Sequence, residues 1–364
     1  MKVAIITCYK QPDYVRAKTL RAGLEQLDGV DSIIVKNRHK GVLRYPEIYM
    51  RLLHLRFAAR PDVYIITFRG YEILPFVLMI AGKKSVVLDE LINPLLVVNE
   101  HRKQRAGTII GRLMGVWKMC GWFYYWLLRR CKAIIADTLP QAQYSAKRSG
   151  LKLEKFTVIP VSTDEELFKP ESTPSKPGKI FQVFYYGTMQ PLHGLEYIMQ
   201  AAELLKNRSD IFFLISGPGT AAEQRVKKAQ EAGAHIQYES WIQFEKLPEL
   251  MRTSGVFLAG PFGDTVQSQK VVTGKTYQAL ACAAPTIVGH SDATELFKDR
   301  ENCLLVSQGS AYKLADAITW AADHPTELKK IGQAGRHLYE EAFSNKVVAQ
   351  DLQNLLSTIS VTSV

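Results

Sequence analysis

The sequence predicts an α/β protein built from two doubly wound domains with parallel sheets, which face each other across a cleft. In both halves of the chain, short apolar runs alternate with helix-like stretches. Near-continuous apolar strands separated by helices are typical of parallel sheets that are covered on both faces. The chain has 364 residues, a length that suits two domains of about 150 to 180 residues each.

Each half contains six strand-like runs. They are KVAIIT, DSIIV, VYIIT, SVVLD, AIIAD and FTVIP in the first half, and FQVFYYG, IFFLISG, IQYES, VFLAG, PTIVG and CLLVS in the second. Helix-like stretches such as Leu195 to Leu205 and Ala311 to Ala322 lie between these runs. Because ligands of open parallel sheets bind beyond the carboxyl ends of the strands, we expect the functional residues there.

A proline-rich segment divides the chain nearly in half. Three prolines fall between Lys169 and Gly178, and clusters of this kind mark loops and linkers. We therefore predict a first domain over residues 1–168, a linker over residues 169–178 and a second domain over residues 179–345. Residues 346–364 are predicted to form a C-terminal helix or tail.

Composition and charge limit the classes of function. Hydrophobic residues make up 47% of the chain, and none of the five cysteines has C-x-x-C spacing, so we expect a sizeable core without a disulfide framework or a metal cluster. Residues 1–170 carry 28 Lys and Arg against 15 Asp and Glu, whereas residues 171–364 carry 18 against 20. The basic first half predicts an anionic partner, which is nucleic acid, a membrane surface or a phosphorylated substrate.

The sequence predicts a cytoplasmic protein. Its start, MKVAIITCYK, lacks the long apolar region and the cleavage site of a signal peptide. The uncharged apolar stretches near Ile73 to Gly82 and Met119 to Leu128 are too short to span a bilayer, which takes about 20 residues.

Gly274-Lys275-Thr276 has the letters of a nucleotide-binding P-loop without its spacing. That motif needs a glycine five residues before Gly274, where Gln269 stands. A helix that begins near Gly274 and runs through Ala281 would instead offer unpaired N–H groups and a positive dipole end to a diphosphate, beside the ammonium of Lys275. The alternative is a solvated lysine at a helix start.

Several motifs occur in a family-specific order. They are VIPVSTD, YYGTMQPLHGLE, FLISGPG, YQALAC, PTIVG, and TEL before ENCLLV. In order and spacing they resemble the nucleotide-sugar domain of retaining GT-B glycosyltransferases, the group 1 or family-4-like enzymes, and VIPVSTD looks like that family's crossover between domains. The resemblance is good over Phe156 to Phe343, while residues 1–155 match only in their strand pattern.

The resemblance implies two Rossmann-like domains, with a nucleoside-diphosphate sugar on the second and an acceptor on the first. It also implies transfer with retention of anomeric configuration and without a required metal, because basic groups and helix N-termini neutralise the diphosphate. The chain contains no D-x-D, the metal–diphosphate motif of the other large glycosyltransferase fold. We expect a UDP- or GDP-sugar donor and a glycan or polyprenyl-linked acceptor, in the synthesis of a cell-surface polysaccharide.

The resemblance indicates where the diphosphate contacts lie in the second half. Gly187 and Thr188 end a strand and begin a loop before a helix, where the backbone can approach a phosphate. His193 stands where family members often carry a basic residue, although a lone histidine is more often an ordinary surface or core residue.

Two positions depart from the family's pattern. Gln278 lies three residues after Lys275 and shares its helical face, at the place of the second Glu in the family's Glu-x7-Glu pair, which grips the ribose hydroxyls. Lys270 stands at the place of the first Glu. An amide bonds a hydroxyl less strongly than a carboxylate does. Glu295 is the candidate carboxylate for the donor-sugar hydroxyls, and a helix-capping role is its alternative.

Asp89 and Arg16 are the candidates in the first half. Asp89 ends an apolar strand where related enzymes often place a histidine or aspartate beside the reacting sugar, so it is the catalytic candidate; a helix N-cap is the alternative. The first loop, Cys8 to Arg16, has none of the glycines that family members commonly use there, so Arg16 is a candidate diphosphate contact. No dedicated base is obligatory, because the leaving phosphate takes the acceptor's proton in the front-face mechanism usually proposed for the family.

Aromatic residues between basic flanks form a candidate acceptor and membrane contact. The run WKMCGWFYYWLL contains Trp117 and Trp122, and the segment before it contains His101, Arg102 and Lys103. Such a pattern suits an anionic membrane interface and a lipid-linked acceptor, which would place the protein at the inner face of the membrane. A core helix packed on the first sheet is the alternative.

Other function classes remain as alternatives. A non-catalytic or weakly active partner protein on the same fold is compatible with the replaced donor carboxylates. A nicotinamide dehydrogenase is disfavoured because no G-x-G-x-x-G follows either opening strand. No DNA or RNA motif accompanies the basic charge, so we expect no specific binding of nucleic acid.

Overall fold

A computed structural model describes the backbone of residues 1–104, 117–171 and 180–361. The description does not include the side chains at positions 99, 101–104, 117–120 and 361. The chain divides into two compact units, Met1–Ser162 with Asn345–Val364, and Thr163–Ser344. Each unit is built on a six-stranded parallel sheet, so the predicted α/β fold with two doubly wound sheets is confirmed.

The first unit has the strand order β2-β1-β3-β4-β5-β6. The strands are β1 (Lys2–Thr7), β2 (Asp31–Lys36), β3 (Val63–Ile66), β4 (Ser85–Asp89), β5 (Ala133–Ala136) and β6 (Phe156–Val158). The central pairing sets Ile5 against Ile34 on one side and against Ile65 on the other. Strands β3 and β5 are buried along their whole length, as expected for a parallel sheet that is covered on both faces.

Helices cover both faces of this first sheet. They are α1 (Val15–Glu25), α2 (Arg44–Ala58), α3 (Leu74–Ala81), α4 (Pro94–Gln104), α5 (Trp117–Arg130) and α6 (Leu139–Ser149). On one face Leu52 of α2, Val77 of α3 and Leu128 of α5 share a buried core with Ile6 and Tyr64 of the strands. On the other face α1 packs with the last helix of the chain.

That last helix, α13 (Asn345–Val361), belongs to the first unit although it follows the second in sequence. It lies so close to α1 that a Cβ atom on Gly23 would sit 2.8 Å from Leu352 Cδ1. Leu352 joins the core formed by Leu20 and Leu24 of α1 and the neighbouring strands. The segment predicted as a C-terminal helix or tail is thus a structural part of the first sheet's cover.

The second unit has the strand order β12-β11-β10-β7-β8-β9. The strands are β7 (Phe181–Tyr186), β8 (Ile211–Ser216), β9 (Ile236–Glu239), β10 (Val256–Leu258), β11 (Thr286–His290) and β12 (Leu304–Ser307). The helices are α7 (Leu195–Leu204), α8 (Thr220–Glu231), α9 (Leu247–Thr253), α10 (Gly274–Ala281), α11 (Ala311–Asp323) and α12 (Pro325–Ala342). Its core includes Val183 of β7, Ile198 of α7 and Ile287 of β11.

All twelve strand-like runs of the sequence form strands, and their ends differ from the prediction by two residues at most. Helix α10 begins at Gly274 and ends at Ala281, as predicted. The contact-based boundary between the units lies at Ser162 and Thr163, a few residues before the predicted linker. Most of that linker falls within residues 172–179, which lie outside the described part of the chain.

Candidate functional site

The candidate site of the second unit lies at the carboxyl end of β7, where the start of α10 approaches it. Tyr186 is the last residue of β7, and Gly187 extends the strand pairing through its N–H, which donates to Ser216 O at 3.0 Å. The carboxyl ends of neighbouring parallel strands share one edge of the sheet, which is where ligands of such sheets bind.

Lys275, in the first turn of α10, is buried with 6% of its surface exposed. Its Nζ donates to Tyr186 O at 3.2 Å and lies 4.0 Å from the centre of the Tyr185 ring. Among the described side chains, no carboxylate lies within 4.0 Å of this ammonium. Burial without such a partner lowers the pKa of Lys275 to about 7, because desolvation penalises the charged form.

Gly187 packs directly against this lysine and the Tyr185 hydroxyl, so closely that a side chain at this position would not fit. A Cβ atom at Gly187 would sit 3.1 Å from Lys275 Nζ and 2.9 Å from Tyr185 Oη. The buried Tyr185 hydroxyl has no hydrogen-bond partner in the described part of the chain. In the described structure Lys275 lacks a carboxylate partner and the Tyr185 hydroxyl lacks a hydrogen-bond partner. Both groups lie against a glycine, whose backbone can be approached closely because it has no side chain.

His193 adds a third polar group near this position. It ends the short 3-10 helix Pro191–His193, and its covered Nδ1 atom has no hydrogen-bond partner among the described residues. Burial and the charge of Lys275 hold the pKa of His193 well below its usual value, so the ring is neutral. A neutral imidazole donates from one nitrogen and accepts at the other, so His193 can donate to an anion without adding charge.

The N-terminus of α10 presents its backbone to the same region. Thr273 precedes the helix without a side-chain capping bond. Its hydroxyl instead contacts Ala259 O at 2.9 Å and the Thr276 hydroxyl at 3.0 Å. First-turn N–H groups that no side chain caps are donors for an anion.

Gln278 faces the same strand end, one helical turn after Lys275. The side chain is buried, and its Oε1 accepts a hydrogen bond from the Tyr186 hydroxyl. This contact holds the amide against β7. The structure thus brings together four of the residues singled out from the sequence, namely Gly187, His193, Lys275 and Gln278.

Thr188 and Glu295 complete the predicted donor set, and Lys270 is the position that departs from the family's first glutamate. Thr188 is exposed directly after Gly187, and Glu295 is exposed directly after the 3-10 helix Asp292–Thr294. That helix is capped by Ser291, not by Glu295. Lys270 ends the 3-10 helix Ser268–Lys270, which packs against the 3-10 helix Asp292–Thr294 that precedes Glu295.

In the first unit, Arg16 and Asp89 bind each other. Arg16 Nε and NH2 lie 3.0 Å and 2.9 Å from Asp89 Oδ1, and both side chains are fully buried. The NH1 group also donates to Ile159 O and Pro160 O at 2.8 Å each. The candidate diphosphate contact and the candidate catalytic carboxylate therefore form one buried ion pair, a geometry that favours a structural role for both.

Two further buried acids, Glu90 and Asp137, lie at the same edge of the first sheet. The sequence analysis did not single them out as site residues. Burial raises the pKa of each to about 7. Glu90 Oε1 accepts from the Tyr124 hydroxyl and, at 3.0 Å, from Asn93 Nδ2, whereas Glu90 Oε2 and Asp137 Oδ1 have no partner in the described part of the chain. The sequence signal was an acid directly after each of two apolar strands, VVLDE and AIIAD.

The predicted acceptor and membrane residues are only partly described. His101, Arg102 and Lys103 lie in the backbone of α4, and Trp117 begins α5, but their side chains are outside the described part. Trp122 of α5 is 69% exposed. Within the described residues, no helix has the length and apolarity needed to cross a membrane.

In the ranges that the structure describes, no cluster of three or more His, Cys, Asp or Glu side chains could hold a metal ion.

Comparison with known proteins gives a family match within the second unit and a fold match for the chain. Residues 181–324 match the family model described as glycosyl transferases group 1. Among solved structures, HepE (Alr3699) of Anabaena in complex with UDP and glucose aligns with a TM-score of 0.71 at 15% identity, over 98% of this chain and 100% of that one. A search of curated proteins gives no significant match.

Two other solved structures have the same fold. Sucrose-phosphate synthase of Thermosynechococcus elongatus aligns with a TM-score of 0.72 at 16% identity, over the whole of both chains. A glycosyltransferase of Rickettsia africae aligns with a TM-score of 0.68 at 14% identity, over 98% of each chain.

Proposed function

We propose that this chain, which has the GT-B fold and whose second unit carries a group 1 glycosyltransferase domain, moves a sugar from a nucleoside-diphosphate donor to an acceptor. The proposal depends on one observation: Lys275 is a buried ammonium without a carboxylate partner in the described structure. It lies beside Gly187 at the start of a helix. The donor would be a UDP- or GDP-sugar. One of the solved neighbours, HepE, holds UDP and glucose.

In this proposal the diphosphate takes the place of the missing counter-charge. It would accept from Lys275 Nζ, from the first-turn N–H groups of α10 and from His193, with Gly187 allowing the close approach. Hydrogen bonds to charged groups contribute about 1.5–3 kcal/mol each. Such basic and backbone donors would neutralise the diphosphate without a metal ion.

The nucleoside and sugar ends of the donor would contact the groups on either side. Gln278, held by the Tyr186 hydroxyl, would bond a ribose hydroxyl in place of the family's glutamate. Glu295 would bond hydroxyls of the donor sugar, and Thr188 would follow the phosphate path after Gly187. The Lys270 ammonium cannot accept a hydrogen bond from a ribose hydroxyl, so we expect weaker recognition of the ribose than a pair of carboxylates would give.

The chemical step proposed is front-face displacement with retention of configuration. The acceptor hydroxyl attacks the anomeric carbon on the side from which the phosphate leaves, the bond from that carbon to the phosphate oxygen breaks, and the leaving phosphate takes the hydroxyl proton. Lys275 and the donors around it stabilise the charge that develops on this phosphate. Asp89 and Arg16 would act together as a buried pair that holds the carboxyl end of β4.

The acceptor proposed is a glycan or a polyprenyl-linked glycan, in the synthesis of a cell-surface polysaccharide at the inner face of the membrane. The basic first half of the chain supports an anionic lipid-linked acceptor. The exposed Trp122 supports contact with the membrane interface.

Calorimetry with UDP and GDP, followed by turnover with a panel of nucleotide sugars, tests the proposal. We expect micromolar binding of one nucleotide and transfer or slow hydrolysis of its sugar, with the product anomer assigned by NMR as that of the donor. If neither nucleotide binds and no sugar is released, the enzyme proposal is wrong.

A non-catalytic partner protein is the second candidate, and the replacement of both donor carboxylates by Lys270 and Gln278 favours it. The same experiment separates the two. Binding of a nucleotide without turnover of any sugar in the panel, in the presence of membrane lipid extracts as acceptor, would support the non-catalytic role.

A further inference from the structure

Helix α2 exposes an apolar stripe along its solvent-facing side. Pro46, Met50, Leu53 and Phe57 recur every three or four residues, so they lie on one helical face. Met50 is 67% exposed, Leu53 44% and Phe57 74%. We call these four residues the α2 stripe.

Folding of the first unit does not require this stripe. The opposite face of α2 already packs in the core through Ile48, Leu52 and Leu55, which are at most 6% exposed. Single exposed apolar side chains are common on soluble proteins, whereas a contiguous apolar surface marks an interaction site. The α2 stripe is therefore a candidate interaction surface.

The apolar surface extends beyond α2 on the same side of the sheet. Val42 and Leu43, just before α2, are 79% and 64% exposed, and Met79 of α3 is 67% exposed. Helix α3 contacts both α2 and α5, and α5 carries the exposed Trp122 and Phe123. On α1 and α13, which cover the other face of the sheet, none of the described side chains is a large exposed hydrophobic residue.

Positive charge surrounds this apolar surface. Residues 38–84 carry nine Lys and Arg against three Asp and Glu. The three acids are neutralised locally, in the pairs Glu47–Arg51, Asp62–Lys84 and Glu72–Arg44. Exposed cations remain at Arg38, Lys40 and Lys83, so the region as a whole attracts anions.

We propose that the α2 stripe, with Val42 and Leu43 and the basic residues around them, docks the first unit on an anionic lipid surface. The apolar side chains enter the headgroup region, and Arg38, Lys40 and Lys83 contact anionic headgroups. Nucleic acid would match the charge but would leave the apolar stripe exposed to water. A lipid surface is the partner that matches both properties.

This docking surface adds to the proposed function. Its role in bringing the protein to a lipid-linked acceptor rests on that proposed function. The evidence for the surface itself comes only from residues of the first unit. The sequence analysis expected membrane contact in the aromatic run around Trp117 and Trp122. The structure adds α2, where polar and apolar residues alternate without a clear pattern in sequence and the exposed stripe emerges only once the buried face is known.

Flotation of the full chain with lipid vesicles tests the docking surface. The probe is a vesicle of phosphatidylcholine with about one third phosphatidylglycerol, compared with phosphatidylcholine alone. The variant is the triple substitution Met50→Gln, Leu53→Gln and Phe57→Gln, which keeps good helix formers in α2. We expect its partition onto anionic vesicles to fall about a hundredfold.

The matched control is the pair Trp241→Gln and Tyr312→Gln in the second unit. These side chains are 72% and 71% exposed, so the control removes equally exposed apolar surface away from α2. We expect its vesicle partition to equal that of the unaltered protein. The melting temperatures of both variants should match the unaltered chain, because none of these side chains is buried.

A charge variant, Lys40→Gln with Lys83→Gln, tests the electrostatic part of the docking. Each removed charge should lower the partition about fivefold, and salt should weaken binding of the unaltered protein. Equal binding of the triple variant and the unaltered chain, or equal binding to neutral and anionic vesicles, would overturn the proposal. The proposal would also be wrong if the unaltered chain were a dimer, the triple variant were a monomer, and neither protein bound vesicles.

Nucleotide calorimetry on the same samples separates this proposal from the proposed function. The triple variant should bind UDP or GDP like the unaltered chain, because α2 lies in the other unit from Lys275. If the chain binds vesicles but no nucleotide, the docking surface is supported and the proposed transferase activity is wrong.

Discussion

The two units treat buried charge at the carboxyl edge of their sheets in opposite ways. In the first unit Arg16 is paired with Asp89 at 2.9 Å, and burial raises the pKa values of Glu90 and Asp137 to about 7. In the second unit Lys275 is buried with a pKa of about 7 and no carboxylate nearby in the described structure. The buried charges at the first edge are neutralised by pairing and protonation, whereas Lys275 at the second edge has no carboxylate counterpart in the described structure.

This difference shows how a structural charge and a binding charge can be told apart on similar folds. A buried cation with its own carboxylate is compensated inside the protein, so removing one partner is costly and little of its charge is left for a ligand. A buried cation without one costs folding free energy and recovers it when an anion binds.

The largest effect is expected from breaking the pair in the first unit. Arg16→Met leaves Asp89 buried without its partner, so we expect a loss of about 3–5 kcal/mol in the free energy of unfolding at pH 8. Denaturant unfolding of the full chain measures it. The double variant Arg16→Met with Asp89→Leu should recover most of the loss, and a single variant as stable as the unaltered chain would contradict the structural role.

In the second unit the corresponding change should affect binding instead of stability. Lys275→Met removes the ammonium beside Gly187 and replaces it with an apolar side chain that suits a buried site. We expect the Kd for UDP to rise about ten- to a hundredfold, for a charged hydrogen bond of about 1.5–3 kcal/mol. The free energy of unfolding should stay equal or rise, since a desolvated charge is removed.

Calorimetry and denaturant unfolding measure these two quantities on one sample. The control is Lys298→Met, which replaces an exposed lysine. Neither the Kd for UDP nor the free energy of unfolding should change in this variant. A Lys275→Met protein that binds UDP normally but unfolds easily would reverse the contrast between the two units.

The pH dependence of donor binding should follow Lys275. Its pKa is about 7 in the free protein, and a bound diphosphate favours the charged form and so raises that pKa. The affinity for UDP-glucose should therefore be highest below pH 7 and fall as pH rises above it, by at most about tenfold per pH unit. Titration calorimetry from pH 6 to 9 should show this slope in the unaltered chain and none in Lys275→Met.

The smallest effect is expected from the buried acids of the first unit. The pKa of Glu90 rises from 4.5 to about 7 on folding, so the folded state keeps a proton that the unfolded chain releases between these values. Stability is then full below about pH 4.5 and falls as pH rises towards 7, by at most about 1.4 kcal/mol per pH unit.

Glu90→Gln tests this because the amide oxygen still accepts from Tyr124 and Asn93. We expect the variant to lose part of the slope of unfolding free energy against pH, while Asp137→Asn removes a separate part. An unchanged slope in both variants would mean that these acids are ionised in the folded protein.

Much of the second unit could be read from the sequence. The strands of both sheets follow from short β-rich runs, and α10 follows from the pattern around Lys275. Lys275 was singled out because a helix was expected to begin near Gly274, whereas His193 and Gln278 were singled out through the family resemblance. At His193 the strand, the loop and the next helix follow each other within a few residues, so the local signal there was strong.

The first unit was harder to read because its important contacts are distant in sequence. Arg16 meets Asp89 across 73 residues, and nothing in either local segment indicates the partner. Each was therefore expected to face a ligand. The exposed side of α2 was missed for a related reason, since α2 is apolar on several sides and only packing decides which side stays in contact with water.

The α/β class, the twelve strands and the candidate anion-binding lysine could be derived from the sequence, because they depend on local patterns of apolar residues and on the chemistry of single side chains. Tertiary structure decided which charges are compensated, that α13 returns to cover the first sheet, and which face of α2 is exposed. These properties depend on what lies opposite a residue in space, where burial sets the free energy of a charge or an apolar surface.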